Sequence, residues 1–118
     1  MQDPVVTGER SMPQPDLALL KPREDSYTRS HPTAAEVLLV VEVADTTLRF
    51  DLGTKMPLYA RSGIAEAWVV DLREQAVRVF RDPSENGYRT SFTVTVGDAL
   101  GIHALPGLVI AVTELFPK

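Results

Sequence analysis

Cysteine is absent from this chain of 118 residues, and the absence removes disulfide bridges, thiolate nucleophiles and cysteine-based zinc centres together. No apolar run approaches the roughly 18 residues of a membrane-spanning helix. The opening, MQDPVVTGERS, lacks the basic segment followed by an apolar one that marks a secretory signal. Positive charge is scarce: 12 Lys and Arg stand against 16 Asp and Glu, for a net charge of −4. That balance argues against a protein that coats polyanions generally, while a local basic strip can still meet phosphate. No glycine-rich phosphate loop, serine–histidine–acid set or zinc-ligand spacing occurs. These absences predict a soluble, cytoplasmic protein with no membrane segment and no organic cofactor.

What is present suits one compact unit. A hydrophobic content of 44% in a chain shorter than the usual prior of about 150 residues per domain predicts a single domain over 1–118. The run PQPDLALL reads as a strand entered through Pro13 and Pro15, where no ladder donor is needed. From Lys21 to Pro32 the polar, proline-punctuated text predicts a surface loop. LLVVEVADTT, residues 38–47, lacks alternation, as a strand buried on both faces of an α/β sheet does.

The segment DLGTKMPLYARSG places Leu52, Met56, Tyr59 and Ala60 on one helical face, with Gly63 as a C-cap. Pro57 fits if Thr54 is the N-cap, because the first turn has no use for the missing N–H; a kinked helix is the alternative. AEAWVVDL, QAVRVFR and YRTSFTVTV then read as strands of a meander, with DPSENGY as a turn. The tail GDALGIHALPGLVIAVTELF is equally readable as helix or strand.

Glu42 is the anomaly. A lone carboxylate in an aliphatic strand is costly unless a cation, a donor or water meets it. Asp16, at the mouth of the preceding strand, converges on Glu42 if the two strands are neighbours, and facing carboxylates repel unless a hard divalent cation lies between them. Lys55 borders the buried helix face and can extend its ammonium to the same end of the sheet. Such a set can hold Mg²⁺ or Mn²⁺, activate water and attack phosphorus.

Plainer roles exist for each. Asp16 fits a turn acid, Glu42 a structural salt bridge to Lys55 or Arg49, and Lys55 a solvated helix lysine. His31 suits a structural hydrogen bond better than a phosphate contact, and His103 has no second histidine with which to ligate metal. Lys21, Arg23 and Arg29 form a basic rim interrupted by Glu24 and Asp25. Asp45 and Asp51 suit capping better than contacts to metal-bound water. Trp68 reads as core.

Pro15-Asp16, His31-Pro32, the block Val41-Glu42-Val43-Ala44-Asp45, and Lys55 followed by Tyr59, Ala60, Gly63, Glu66 and Trp68 together resemble the Uma-two family, a restriction-endonuclease-like branch of the PD-(D/E)xK nuclease superfamily. The likeness spans almost the whole chain. It implies an α/β restriction-endonuclease-like core, a mixed β-sheet with a flanking helix, and Asp16, Glu42 and the main-chain carbonyl of Val43 as metal ligands. The superfamily's usual lysine, two residues past the acid, is here Ala44. Lys55, matching the lysine that this family carries on the next helix, takes its place.

The resemblance also implies an N-terminal helix and a strand bearing another glutamate, most of which a chain opening with MQDPVV lacks. The expected fold is therefore truncated, and a second copy is expected to cover the exposed sheet as a homodimer. Ala65, where the family often has proline, is a minor departure. The expected function is Mg²⁺-dependent hydrolysis of DNA phosphodiesters. The alternative is a silent nuclease-fold remnant serving as an oligomerising or regulatory module.

Overall fold

A computed structural model of the chain describes residues 6–7, 10–11, 15–22, 33–45 and 48–116. Two short strands, β1 (Val6–Thr7) and β2 (Arg10–Ser11), pair with each other. β3 (Leu17–Leu20), β4 (Val37–Ala44), β5 (Glu66–Asp71), β6 (Ala76–Ser84) and β7 (Gly87–Thr95) form one sheet in that spatial order. β4 and β5 are parallel, and the other pairings in the sheet are antiparallel. This is the mixed sheet that the resemblance implies, and the β5–β6–β7 meander follows the sequence reading.

The unalternating character of β4 has a direct cause. Val40 and Ala44 pack into one core with Met56, Tyr59 and Ile64. Leu39 and Val41 enter a second core on the opposite face with Trp68, Leu100 and Val112. A strand covered on both sides has no polar face to write into its sequence.

The crossover between the parallel strands is helical over 48–61. It consists of α1 (Leu48–Phe50), a wide π-turn (Asp51–Lys55) and α2 (Met56–Arg61). Of the two readings of this helix, the one with Thr54 as N-cap is corrected, because helix precedes Thr54 and Lys55 to Met56 continues it; the alternative, a helix that runs on through Pro57, is the nearer one. The Met56 N–H donates to the Asp51 carbonyl, five residues back, and Pro57 stands in the first turn after that widening. A π-turn relaxes the interior hydrogen-bond ladder at the place where proline withdraws a donor. Gly63 ends the helix as expected, at φ 84°. Its N–H donates to the Ala60 carbonyl and the Ile64 N–H to Tyr59, the paired closure that glycine permits at a helix end.

The ambiguous tail is mostly strand. β8 (Ala99–Ile102) and β9 (Leu105–Ala111) make a hairpin, followed by a 3-10 turn (Val112–Leu115). Gly101, Pro106 and Gly107 weaken a helix, whereas Val109 and Ile110 suit a strand. The hairpin carries Leu100 and Ile102 onto the sheet face opposite the helix. No helix among the described residues is long and apolar enough to cross a membrane.

Candidate active site

Glu42 lies in β4 between Val40 and Ala44 and therefore faces the helical crossover. It is only 1% exposed. Tyr59 donates its hydroxyl to Glu42 Oε1 at 2.7 Å, and Lys55 Nζ donates to Oε2 at 3.0 Å. Lys55 also lies 3.4 Å from Asp51 Oδ1, and its side chain keeps 18% exposure. The sequence question is answered in part by this ion pair, the structural reading named for Glu42, with Tyr59 as an added donor.

Asp16 approaches from the adjacent strand. Leu17 pairs with Val41, so the antiparallel register carries Asp16 to the level of Glu42. Its Oδ2 accepts the Val43 N–H at 2.6 Å. The Ala44 carbonyl accepts from Leu72, on the β5 side. Because ladder groups alternate along a strand, the N–H and carbonyl of Val43 both turn to the β3 side, where Asp16 sits. Thus Asp16, Glu42, Val43 and Lys55 meet at one end of the sheet.

The electrostatics follow from burial and crowding. Burial pushes the Glu42 pKa above the ordinary glutamate value; the Tyr59 and Lys55 contacts oppose this, and the charge of Asp16 adds to it. For Lys55, burial pulls downward, but the bond and attraction to Glu42, with Asp51 behind, outweigh it and raise the pKa. Tyr59 is also pushed upward, by burial first and then by its bond to Glu42. Glu42 and Asp51 share one ammonium, and Asp16 adds its charge against Glu42, which leaves an excess of acidic groups when all are ionised.

Asp51 is the residue to which sequence reasoning assigned the wrong job. It is buried and ion-paired inside the π-turn, rather than capping a helix end. Its position four residues before Lys55 was the available signal. Asp45 instead makes a long, exposed ion pair with Arg73 at 3.9 Å. His31, Arg23 and Arg29 lie outside the described residues. The main-chain N–H of Lys21 is used by the Glu36 carbonyl.

Two further places account for other charged groups. An open cleft of about 320 Å³ at the ends of β4 and β5 is lined by Asp45, Leu48, Arg49, Asp71, Arg73 and Glu74. Asp71 there receives the N–H groups of Arg73 and Glu74, as a turn acid does. On the other face, buried Glu66 accepts from Trp68 Nε1, Arg81 Nε and the His103 N–H. Arg81 reaches on to the Gly101 carbonyl, so this cluster fastens the β8–β9 hairpin to the sheet.

Among the described residues, no three His, Cys, Asp or Glu side chains are grouped to hold a metal ion. A cation here would rest on two carboxylates and a main-chain carbonyl, all hard oxygens of the kind Mg²⁺ prefers. The upward push of Asp16 on Glu42 is the repulsion such a cation would relieve. The donor set therefore fits.

The family model described as "Putative restriction endonuclease", Uma2, matches residues 2–113. The chain belongs to the Uma2 family. A solved structure described as a "putative nuclease belonging to DUF820" from Anabaena variabilis ATCC 29413 shares the fold, with TM-score 0.67 at 15% identity. The match covers 95% of this chain and 63% of that one, so the Uma2 chain spans less than two thirds of the neighbour's length. No curated protein matches.

Proposed function

We propose that this Uma2 chain is a Mg²⁺- or Mn²⁺-dependent endodeoxyribonuclease, acting on DNA in the cytoplasm. Asp16, Glu42 and the Val43 carbonyl would hold the cation, and Lys55 would place the attacking water. The observation that carries the reading is the meeting of Asp16, Glu42 and Lys55, drawn from two strands and a helix, at one edge of the sheet. The family description and the nuclease-like fold support it.

A bound divalent cation would supply Lewis-acid charge against the phosphate and lower the pKa of a neighbouring water. The chain's own residues do the rest. Tyr59 fixes one oxygen of Glu42, so that the carboxylate keeps one orientation. Asp51 and Glu42 hold the Lys55 ammonium between them, directing donors toward the reacting oxygens. That ammonium would orient water through a hydrogen bond and offset negative charge as the phosphorus becomes five-coordinate.

A homodimer is part of the proposal. Leu17, 61% exposed, and Val43, 44% exposed, occupy the β3–β4 edge on the face away from the helix. A second copy would cover this apolar surface and supply one site for each strand of a duplex.

Plasmid incubated with Mg²⁺ should be cut by the wild type and spared by Asp16→Ala and Lys55→Ala. Undiminished cutting by both variants removes the mechanism. Calorimetric titration should show Mg²⁺ or Mn²⁺ binding that disappears in Glu42→Gln. Light scattering that returns a monomer mass across the working concentration range removes the dimer.

A further inference from the structure

Among the described residues, Phe50 is a large exposed side chain beside the site that the nuclease reading leaves unused. It is 54% exposed, and its ring centroid lies 5.7 Å from Lys55 Nζ. Leu48 and Leu52, two positions to either side, pack toward the helix-side core, so the helix turns Phe50 outward while burying its neighbours. Exposing an aromatic ring to water at this point forgoes the burial that leucine or phenylalanine gains in a core. Charged groups border the ring among the described residues: Arg49 is exposed beside it, and the Lys55 ammonium that lies over it pairs with Glu42 and Asp51. A nucleobase, with an apolar π-face, polar edges and a phosphate attached through one sugar, matches an exposed ring bordered by cations.

Resting on the nuclease reading of this site, we propose that Phe50 determines substrate class: its ring stacks on a nucleobase adjoining the scissile phosphate, so the protein prefers DNA whose base there is unpaired. The Lys55 ammonium lies over the ring, 5.7 Å from its centroid, so a base would stack on the part of the ring that this cation leaves exposed. Within a duplex both faces of a base are already occupied by its neighbours, and access by Phe50 requires unstacking. Single strands, frayed ends and mismatched sites present the face freely.

Fluorescence anisotropy with a short labelled oligothymidylate and an abasic strand of equal length tests this without requiring cleavage. Wild type should bind the thymidylate roughly tenfold to a hundredfold more tightly than the abasic strand, the range expected for one stacked base. Phe50→Ala should lose that advantage while binding the abasic strand as wild type does. Phe50→Trp should retain it, with its added indole emission quenched on saturation. Equal discrimination in wild type and Phe50→Ala, no binding of single strands by wild type, or unquenched Phe50→Trp emission overturns the proposal. So does a change of oligomeric mass in Phe50→Ala with unchanged DNA binding, which assigns the ring to a protein interface. Base discrimination that persists while Lys55→Ala leaves cutting intact would sink the nuclease mechanism alone.

Discussion

Replacing Lys55 with methionine removes the one cation among the described residues that the Glu42 carboxylate touches at hydrogen-bond distance and keeps much of the side-chain volume. At an effective dielectric of about 20, a unit pair at the observed 3.0 Å is worth about 5 kcal/mol, and the 3.4 Å contact to Asp51 slightly less. The ammonium's own desolvation cost vanishes with it, and Glu42 keeps its bond from Tyr59. The net loss should therefore be about 3 kcal/mol at pH 8, at the low end for breaking a buried pair.

The loss should depend on pH in a stated direction. The native pKa of Glu42 is already raised, so the folded state binds its proton more readily than the unfolded chain does. Stability attributable to that group falls as pH rises from the unfolded value through the folded one. Without Lys55 the folded value rises further, and the window extends upward. Lowering the pH favours protonation, which relieves the buried charge, so at pH 5 the variant's deficit should be smaller, about 1 kcal/mol.

Urea unfolding followed by the emission of buried Trp68 reads both values, in chelator so that no divalent ion contributes. With an m-value of about 1.5 kcal/mol/M, the midpoint should drop by about 2 M at pH 8. Adding Glu42→Gln to Lys55→Met should recover part of the loss, because the Glu42 charge is no longer orphaned while buried Asp51 still loses its ion pair to Lys55. Equal destabilisation at both pH values, or a double variant as weak as Lys55→Met, would refute the reasoning.

Tyr59 and Tyr88 both hold their protons above the ordinary tyrosine value, chiefly through burial. Their contribution is intact below pH 10 and should be lost as pH rises beyond it, by about 1.4 kcal/mol per pH unit for each phenol; denaturation midpoints above pH 10 should flatten in a doubly Phe-substituted variant. Arg81→Met should cost about 2–4 kcal/mol by thermal denaturation, since it strips a donor from buried Glu66 and leaves the Gly101 carbonyl unserved. Amide exchange in that variant should quicken in β8–β9 before it does in β4 or β5. Gly63→Ala should cost about 1–2 kcal/mol, because its φ of 84° strains any residue with a Cβ while no neighbouring atom crowds the position.

Some elements were legible because local chemistry and tertiary demand agree. The turn at Glu85-Asn86 and the apolar spacing around it wrote the β6–β7 hairpin into the text, and the aliphatic run of β4 announced burial on both faces. The helix start stayed open between Thr54 and a kinked longer helix because a proline rule assumes an ordinary first turn, whereas the chain uses a π-turn that admits Pro57 and swings Asp51 inward. The tail was undecidable because a short apolar run can serve either element until a surface exists to receive it. Glu66 was noticed only as part of a family pattern. Its partners Arg81 and His103 lie far along the chain, and the pairing of Glu66 with Arg81 belongs to sheet register.

The sequence alone determined which residues were out of place: a glutamate among aliphatics, an aspartate after proline, a lysine bordering an apolar stripe. Charge in an apolar setting is costly wherever the chain folds, and that cost is visible residue by residue. Only the tertiary structure decided how the cost is met. Strand register brings Asp16 to Val43, the widened helical turn adds Asp51, and packing delivers the Tyr59 hydroxyl to Glu42. Distances between residues far apart in sequence depend on how layers stack, and no local pattern carries them.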